Sequence, residues 1–169
     1  LELPAGCYYL SDSFEPSYSI IVKGDVKICL NGHNINMKSA GNVFEVDKGG
    51  TLTLTDCKGS SSISHSDVEW GRGVLVSNGT FNMYGGEISG NEVSSMGGAV
   101  SSLDTFNMYG GSITGNTAQY FGGGVSVYKG TFNMFDGTIS GNKVTSATMQ
   151  SHGGGGVWVH TTGTFCMKG

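Results

Sequence analysis

The sequence predicts an all-β fold, a right-handed parallel β-helix of about five coils with a period of about 25 to 33 residues. Three observations predict it: a repeated unit, apolar residues at every second position, and glycine between the apolar segments. The unit TFNMYGGEISGN at residues 80–91 returns in modified form at 105–116 and 131–142, and a partial copy follows at 164–169. Units of this length cannot bury an apolar face alone, so they stack and each covers the next.

Strands are predicted by the pattern within each unit. Phe81 and Met83 alternate with Asn82 and Tyr84, which is the period of two expected of a β-strand. No window shows apolar residues at helical spacing over three turns. Stacking should place equivalent residues in inward columns. These are Phe81, Phe106, Phe132 and Phe165; Met83, Met108, Met134 and Met167; Ile63, Ile88, Ile113 and Ile139; and the valine pairs that begin at Val74 and Val76.

Asparagines follow glycine at the end of each complete unit. Asn91, Asn116 and Asn142 are suited to corners because asparagine tolerates the left-handed conformation. Their amides are expected to hydrogen-bond from coil to coil as a ladder.

The chain is expected to be a single domain, residues 1–169, whose C-terminal end is truncated. Residues 1–17 are predicted to be an N-terminal cap, because an open solenoid end is an unpaired edge. Residues 18–72 form degenerate coils and residues 73–169 form regular ones. The ten residues 143–152 stand where other coils have five, so this insertion should project from the wall.

Composition restricts the partners. Net charge is −4 and only 13% of residues are charged, which argues against nucleic acid or an anionic membrane surface as partner. No apolar run approaches the 18 residues of a membrane span. Cys7, Cys29 and Cys57 lie about one repeat apart, so two of them can pair, which favours an extracellular location. No CxxC pair or Cys/His spacing fits zinc, and neither metal nor cofactor is expected.

The motifs GGxISGN, GGGVxV and GTFNM, preceded by KICLNGHNI and GGTLTLTDC, resemble the glycine-rich repeats of cell-surface proteins from Gram-positive gut bacteria. Those repeats belong to the pectate-lyase-like right-handed β-helix superfamily. The resemblance covers nearly the whole chain and implies a secreted or surface-attached protein. It does not imply one activity, since that superfamily includes polysaccharide lyases, glycoside hydrolases, adhesins and passive stalks.

One catalytic candidate stands out. Asp67, Glu69 and Arg72, near His65, form the densest polar cluster, and polysaccharide-cleaving β-helices use carboxylates beside a basic residue. The cluster aligns with plain loops of later coils, which favours a solvated surface over a catalytic wall. An enzyme is therefore the alternative, and no catalytic residue is assigned.

A binding surface is predicted from outward aromatic residues, with a glycan or a host surface protein as partner. The candidates are Tyr84, Tyr109 and Phe135 in one column, together with Trp70, Tyr120 and Trp158. Trp70, Met96 and Phe121 precede successive glycine blocks, with His152 as the last member. Aromatic residues on a rigid wall suit stacking on sugar rings, although they also cover neighbouring loops in any solenoid. The preferred prediction is a non-enzymatic adhesion or glycan-contact module; a lyase or hydrolase and a passive stalk are the alternatives.

Overall fold

The computed structural model describes residues 1–65, 70–146 and 153–168, and these residues contain strands, bridges and turns but no helix. The described part of the chain forms twenty-two short strands that stack into a β-solenoid of about five turns, which confirms the predicted fold class. Among the described strands, all pairings are parallel apart from one antiparallel contact between Glu92 and Gly71.

Three sheets form the walls. The first contains β1 (Glu2–Leu3), β3 (Ile20–Val22), β6 (Gly41–Val46), β9 (Gly71–Val76), β12 (Glu92–Val93), β13 (Val100–Ser102), β16 (Thr117–Ala118), β17 (Val125–Val127), β20 (Lys143–Val144) and β21 (Val157–Val159). The second contains β2 (Gly6–Tyr9), β4 (Asp25–Cys29), β7 (Gly50–Thr55), β10 (Gly79–Met83), β14 (Thr105–Met108), β18 (Thr131–Met134) and β22 (Thr164–Met167). The third contains β5 (Ile35–Met37), β8 (Ser62–His65), β11 (Glu87–Ser89), β15 (Ser112–Thr114) and β19 (Thr138–Ser140).

Register places identical residues beside one another. Phe81 pairs with Phe106, and Phe106 pairs with Phe132. All three rings are completely buried and stack with centroids 5.0 and 4.5 Å apart. The methionine, isoleucine and valine columns predicted from the repeats also pair in register. Alternate residues therefore fill the core because a strand directs them to one face.

Asparagine forms a buried ladder at one corner, as predicted. The left-handed conformation expected of these asparagines is instead adopted by the glycines before them, Gly90, Gly115 and Gly141, whose φ angles are 65°, 62° and 64°. The amide Nδ2 of Asn91 donates to Oδ1 of Asn116 at 2.9 Å, and Nδ2 of Asn116 donates to Oδ1 of Asn142 at the same distance. Each amide also donates to main-chain carbonyls, such as that of Ile88. The ladder thus satisfies polar groups that the corner would otherwise bury unpaired.

The cysteine pairing left open by the sequence is Cys29 with Cys57, whose Cα atoms are 6.1 Å apart. Cys7 is a free exposed thiol, and Cys166 is free and half-buried. The bridge links β4 to the turn after β7 and closes a segment of 28 residues. By restricting the unfolded chain, such a crosslink stabilises the fold by roughly 3 to 4 kcal/mol.

The N-terminal segment that was predicted to be a cap contributes two strands, β1 and β2, which pair with β3 and β4. Part of the predicted insertion, residues 147–152, lies outside the described residues. Its first two residues form β20, which pairs with β16.

Candidate contact surfaces

The first sheet branches at β9: β13, β17 and β21 form one branch, and β12, β16 and β20 form the other, which we call the ledge. It consists of residues 92–98, 117–123, 143–146 and 153–155, which include β12, β16 and β20 and the residues that follow them. Met96, Phe121 and Gly153 pair along the ledge. His152, which was predicted to end this column, lies outside the described residues, and Gly153 holds the position after Phe121.

Trp158 stacks on Phe121 of the ledge, with ring centroids 4.4 Å apart. That separation is about one coil spacing. The indole of Trp158 therefore lies where a large ledge residue of the same coil would lie. A Cβ atom at Gly153 would lie only 2.1 Å from Cδ1 of Trp158. The missing side chain at Gly153 is therefore what admits the indole.

Along the solenoid, the large residue of a coil lies either on the ledge or at the outward position of the adjacent strand, which is β13, β17 or β21. Two coils place a large residue on the ledge, Met96 or Phe121, and a serine at the outward position of the strand, Ser101 or Ser126. Both serines are buried although they face outward. Because Trp158 pairs with Ser126 and has Gly153 beside it, its coil reverses the arrangement. The predicted contact residue Trp158 is half-buried in this covering layer.

Tyr128 and His160 extend this aromatic cluster, and sequence reasoning missed both. Their rings stack with centroids 4.4 Å apart. The hydroxyl of Thr162 donates to the carbonyl of Tyr128 at 2.7 Å and lies 2.9 Å from Nδ1 of His160. Their shared position directly after the valine strand in two successive coils is the sequence signal that could have identified them.

Trp70 differs from Trp158 because 42% of its surface is exposed. Its coil carries Leu75 at the outward strand position that Ser101 holds in the next coil. With Leu75 at this position, the side chain of Trp70 extends partly into solvent. It borders a cleft of about 140 Å³ whose polar lining includes Asn42, Arg72 and Ser95.

Hydrogen bonds of the Arg72 side chain connect β9 to the ledge. Nη2 donates to Ser95 Oγ at 2.9 Å and to the carbonyl of Met96 at 3.0 Å, and Nη1 donates to Asn42 Oδ1 at 3.2 Å. Burial lowers the pKa of Arg72, while the charge of Glu45 acts in the opposite direction. Asp67 and Glu69, its predicted catalytic companions, lie outside the described residues.

The outward column Tyr84, Tyr109 and Phe135 is a continuous stack. Centroids are 4.5 Å apart for the first pair and 4.6 Å for the second. Nζ of Lys168 lies 5.1 Å from the centroid of Phe135, which places a cation over that end. Both faces of Tyr109 are covered, so this ring presents only its edge to a ligand.

Tyr120, the remaining predicted contact, is 40% exposed and directly precedes Phe121 on the ledge. Its main-chain N–H donates to the carbonyl of Ser95 at 3.0 Å. The predicted contacts therefore occupy separate places: Trp70, Tyr120 and Trp158 lie on or beside the ledge, and the Tyr84 column lies on the second sheet.

Within residues 1–65, 70–146 and 153–168, no three His, Cys, Asp or Glu side chains are grouped to hold a metal ion. The same residues include no helix long and apolar enough to cross a membrane. No protein-family model, curated protein or solved structure matches the chain significantly.

Proposed function

We propose that this solenoid is a non-enzymatic contact module of a secreted or cell-surface protein and that it binds carbohydrate beside Trp70. The observation that carries the proposal is the indole of Trp70, 42% exposed at the edge of a polar cleft. Binding sites commonly combine an aromatic surface with a few placed polar groups, and Asn42 and Ser95 supply such groups here.

The small volume of the cleft indicates that a ligand would contact its surface and would not be enclosed. About 140 Å³ is well below the roughly 300 Å³ at which ligand pockets begin. A sugar would rest against the indole with most of its surface in solvent, so each contact should be weak. Repeated contacts on a cell surface would compensate through avidity.

Arg72 favours contact over catalysis. Three of its nitrogen atoms donate to neutral oxygen acceptors of the strand and the ledge, which fixes the guanidinium in place. A lyase or hydrolase would need Asp67 and Glu69 to act with it. The passive stalk needs only the stacked coils, so it is the outcome to expect if no ligand binds.

A glycan array with the wild type, Trp70→Ala and Tyr18→Ala tests the proposal. We expect array signal that Trp70→Ala removes and Tyr18→Ala retains, because Tyr18 is 77% exposed but does not line the cleft. Thermal unfolding of each variant shows whether lost binding reflects lost folding. Absence of signal on every glycan would favour a stalk, and sugar release from pectin, mucin or glycosaminoglycan would establish an enzyme.

A further inference from the structure

Two outward columns of the second sheet begin in the same coil, on β10 and at the residue after it. The aromatic stack begins at Tyr84, the residue directly after this strand, and a second asparagine ladder begins at Asn82. Towards β14 both columns continue, through Tyr109 and Asn107. Towards β7, the other neighbour of β10, both stop, because that strand has threonines there.

One face of Tyr84 is consequently left uncovered. Its ring lies 11° from parallel with that of Tyr109, at about one coil spacing, so the two planes lie across the solenoid axis. The second face of Tyr84 is directed towards Thr55, whose small side chain stands where a ring would continue the stack. Tyr84 is 53% exposed, in keeping with an open face.

An amide donor lies beside that face. In this ladder Nδ2 of each asparagine donates to Oδ1 of the preceding one: Asn133 to Asn107 and Asn107 to Asn82, both at 2.9 Å. Nδ2 of Asn82 is directed in the same sense, towards Thr53, its register partner on β7. No acceptor for it exists among the described residues.

A cavity adjoins the interruption at Thr53 and Thr55 and extends from there over β4 and β2, away from Asn82 and Tyr84, which do not line it. It has a volume of about 290 Å³, and its lining includes Tyr9, Lys27, Cys29, Thr53 and Thr55. Register places Tyr9 beside Cys29 and Cys29 beside Thr55, so Tyr9 stands three strands from Tyr84, roughly 14 Å away. Cys29, which lines this cavity, is held in place by its disulfide bond to Cys57.

We propose that this gap is a sugar subsite that binds one hexopyranose unit of a glycan. The C–H face of the sugar packs on the open face of Tyr84, and a hydroxyl oxygen accepts a hydrogen bond from Nδ2 of Asn82. Lys27 and Thr53 supply further donors along one side. The proposal takes its ligand class from the carbohydrate-binding function proposed above, but it rests on a different set of residues.

Filling the gap tests the subsite without breaking the fold. Thr55→Tyr extends the aromatic stack over Tyr84, and Thr53→Asn extends the ladder to Asn82. Binding is measured by isothermal titration and by amide shifts in NMR spectra with cellotetraose, mannotetraose and tetraacetylchitotetraose. We expect Thr55→Tyr to weaken binding by at least about tenfold while the melting temperature stays equal or rises.

Two further variants separate this subsite from the Trp70 cleft. Tyr84→Ala should weaken binding as Thr55→Tyr does, and the amide shifts of the wild type should centre on Asn82 and Tyr84. Unchanged binding in Thr55→Tyr, together with loss in Trp70→Ala, would overturn the subsite and leave the Trp70 proposal standing. Loss in Thr55→Tyr alone would support the subsite and refute the Trp70 cleft, and no binding of any probe would refute both.

Discussion

His65 is the residue whose surroundings most constrain its charge. Nδ1 lies 2.8 Å from Oδ1 of Asn91, and Nε2 lies 3.1 Å from the carbonyl oxygen of Gly41. The orientation of Asn91 is fixed because its Nδ2 donates to the carbonyl of Ser89 at 3.0 Å and to the next asparagine of the ladder. Both oxygens facing the ring therefore accept, and a neutral imidazole has a proton for only one of them.

Burial disfavours the charged form of His65. It lowers the pKa of this histidine below the ordinary 6.5, against the opposing effect of the hydrogen bonds to Asn91 and Gly41. The unfolded chain then binds a proton that the folded chain binds less readily. We expect the free energy of unfolding to decrease as pH falls through about 6.5, and to keep decreasing until the folded-state pKa is passed.

Urea denaturation between about pH 7.5 and 5.5 measures this effect. His65→Gln keeps a hydrogen-bond donor but has no titrating group, so its stability should change less over that range. The other three histidines, His33, His152 and His160, remain in both proteins and cancel in the comparison. An equal decrease in wild type and variant would show that His65 does not cause it.

At the scale of elements, the size exchange between ledge and strand is the feature most open to test. Gly153→Met places a side chain where the indole of Trp158 lies, and a Cβ alone would approach it to 2.1 Å. We expect this change to lower stability by about 1 to 3 kcal/mol, the usual cost of overpacking. Thermal or urea unfolding measures it.

A compensating variant tests whether the side chains at positions 153 and 158 share one space. Gly153→Met combined with Trp158→Ser recreates the arrangement of Met96 and Ser101 two coils earlier, so most of the lost stability should return. The double-mutant cycle isolates the coupling between the two positions. Additive losses would mean that the two side chains do not share one space.

Sequence alone predicted the repeated columns because the same side chain returns at one position of every unit. Phe81, Phe106 and Phe132 could be placed inside from alternation and period. The exchange between Gly153 and Trp158 could not be predicted, because it depends on a contact between ledge and strand that no repeat period reports. The pairing of Cys29 with Cys57 was left open for a related reason: more than one cysteine pair is separated by about one coil.

At the scale of the molecule, each coil contacts only the coils before and after it, so stability is built from neighbouring interfaces. Burial along the inward columns varies accordingly. Met83 and Met108 are completely buried, whereas Met167 in the same column is 70% exposed. The middle coils have two covering neighbours in the 169-residue chain, and those of β1 and β22 have one.

Amide hydrogen exchange should follow this gradient. We expect the amides of β10 and β14 to be protected at least about a hundredfold more strongly than those of β1 and β22, because terminal coils open without disturbing the centre. Phe106→Ala should accelerate exchange in the coils on both sides, since it leaves a cavity in the aromatic stack. Met167→Ala is the matched control and should leave central exchange unchanged. Equal protection along the whole chain would instead show that the solenoid unfolds as one cooperative unit and that local opening contributes nothing.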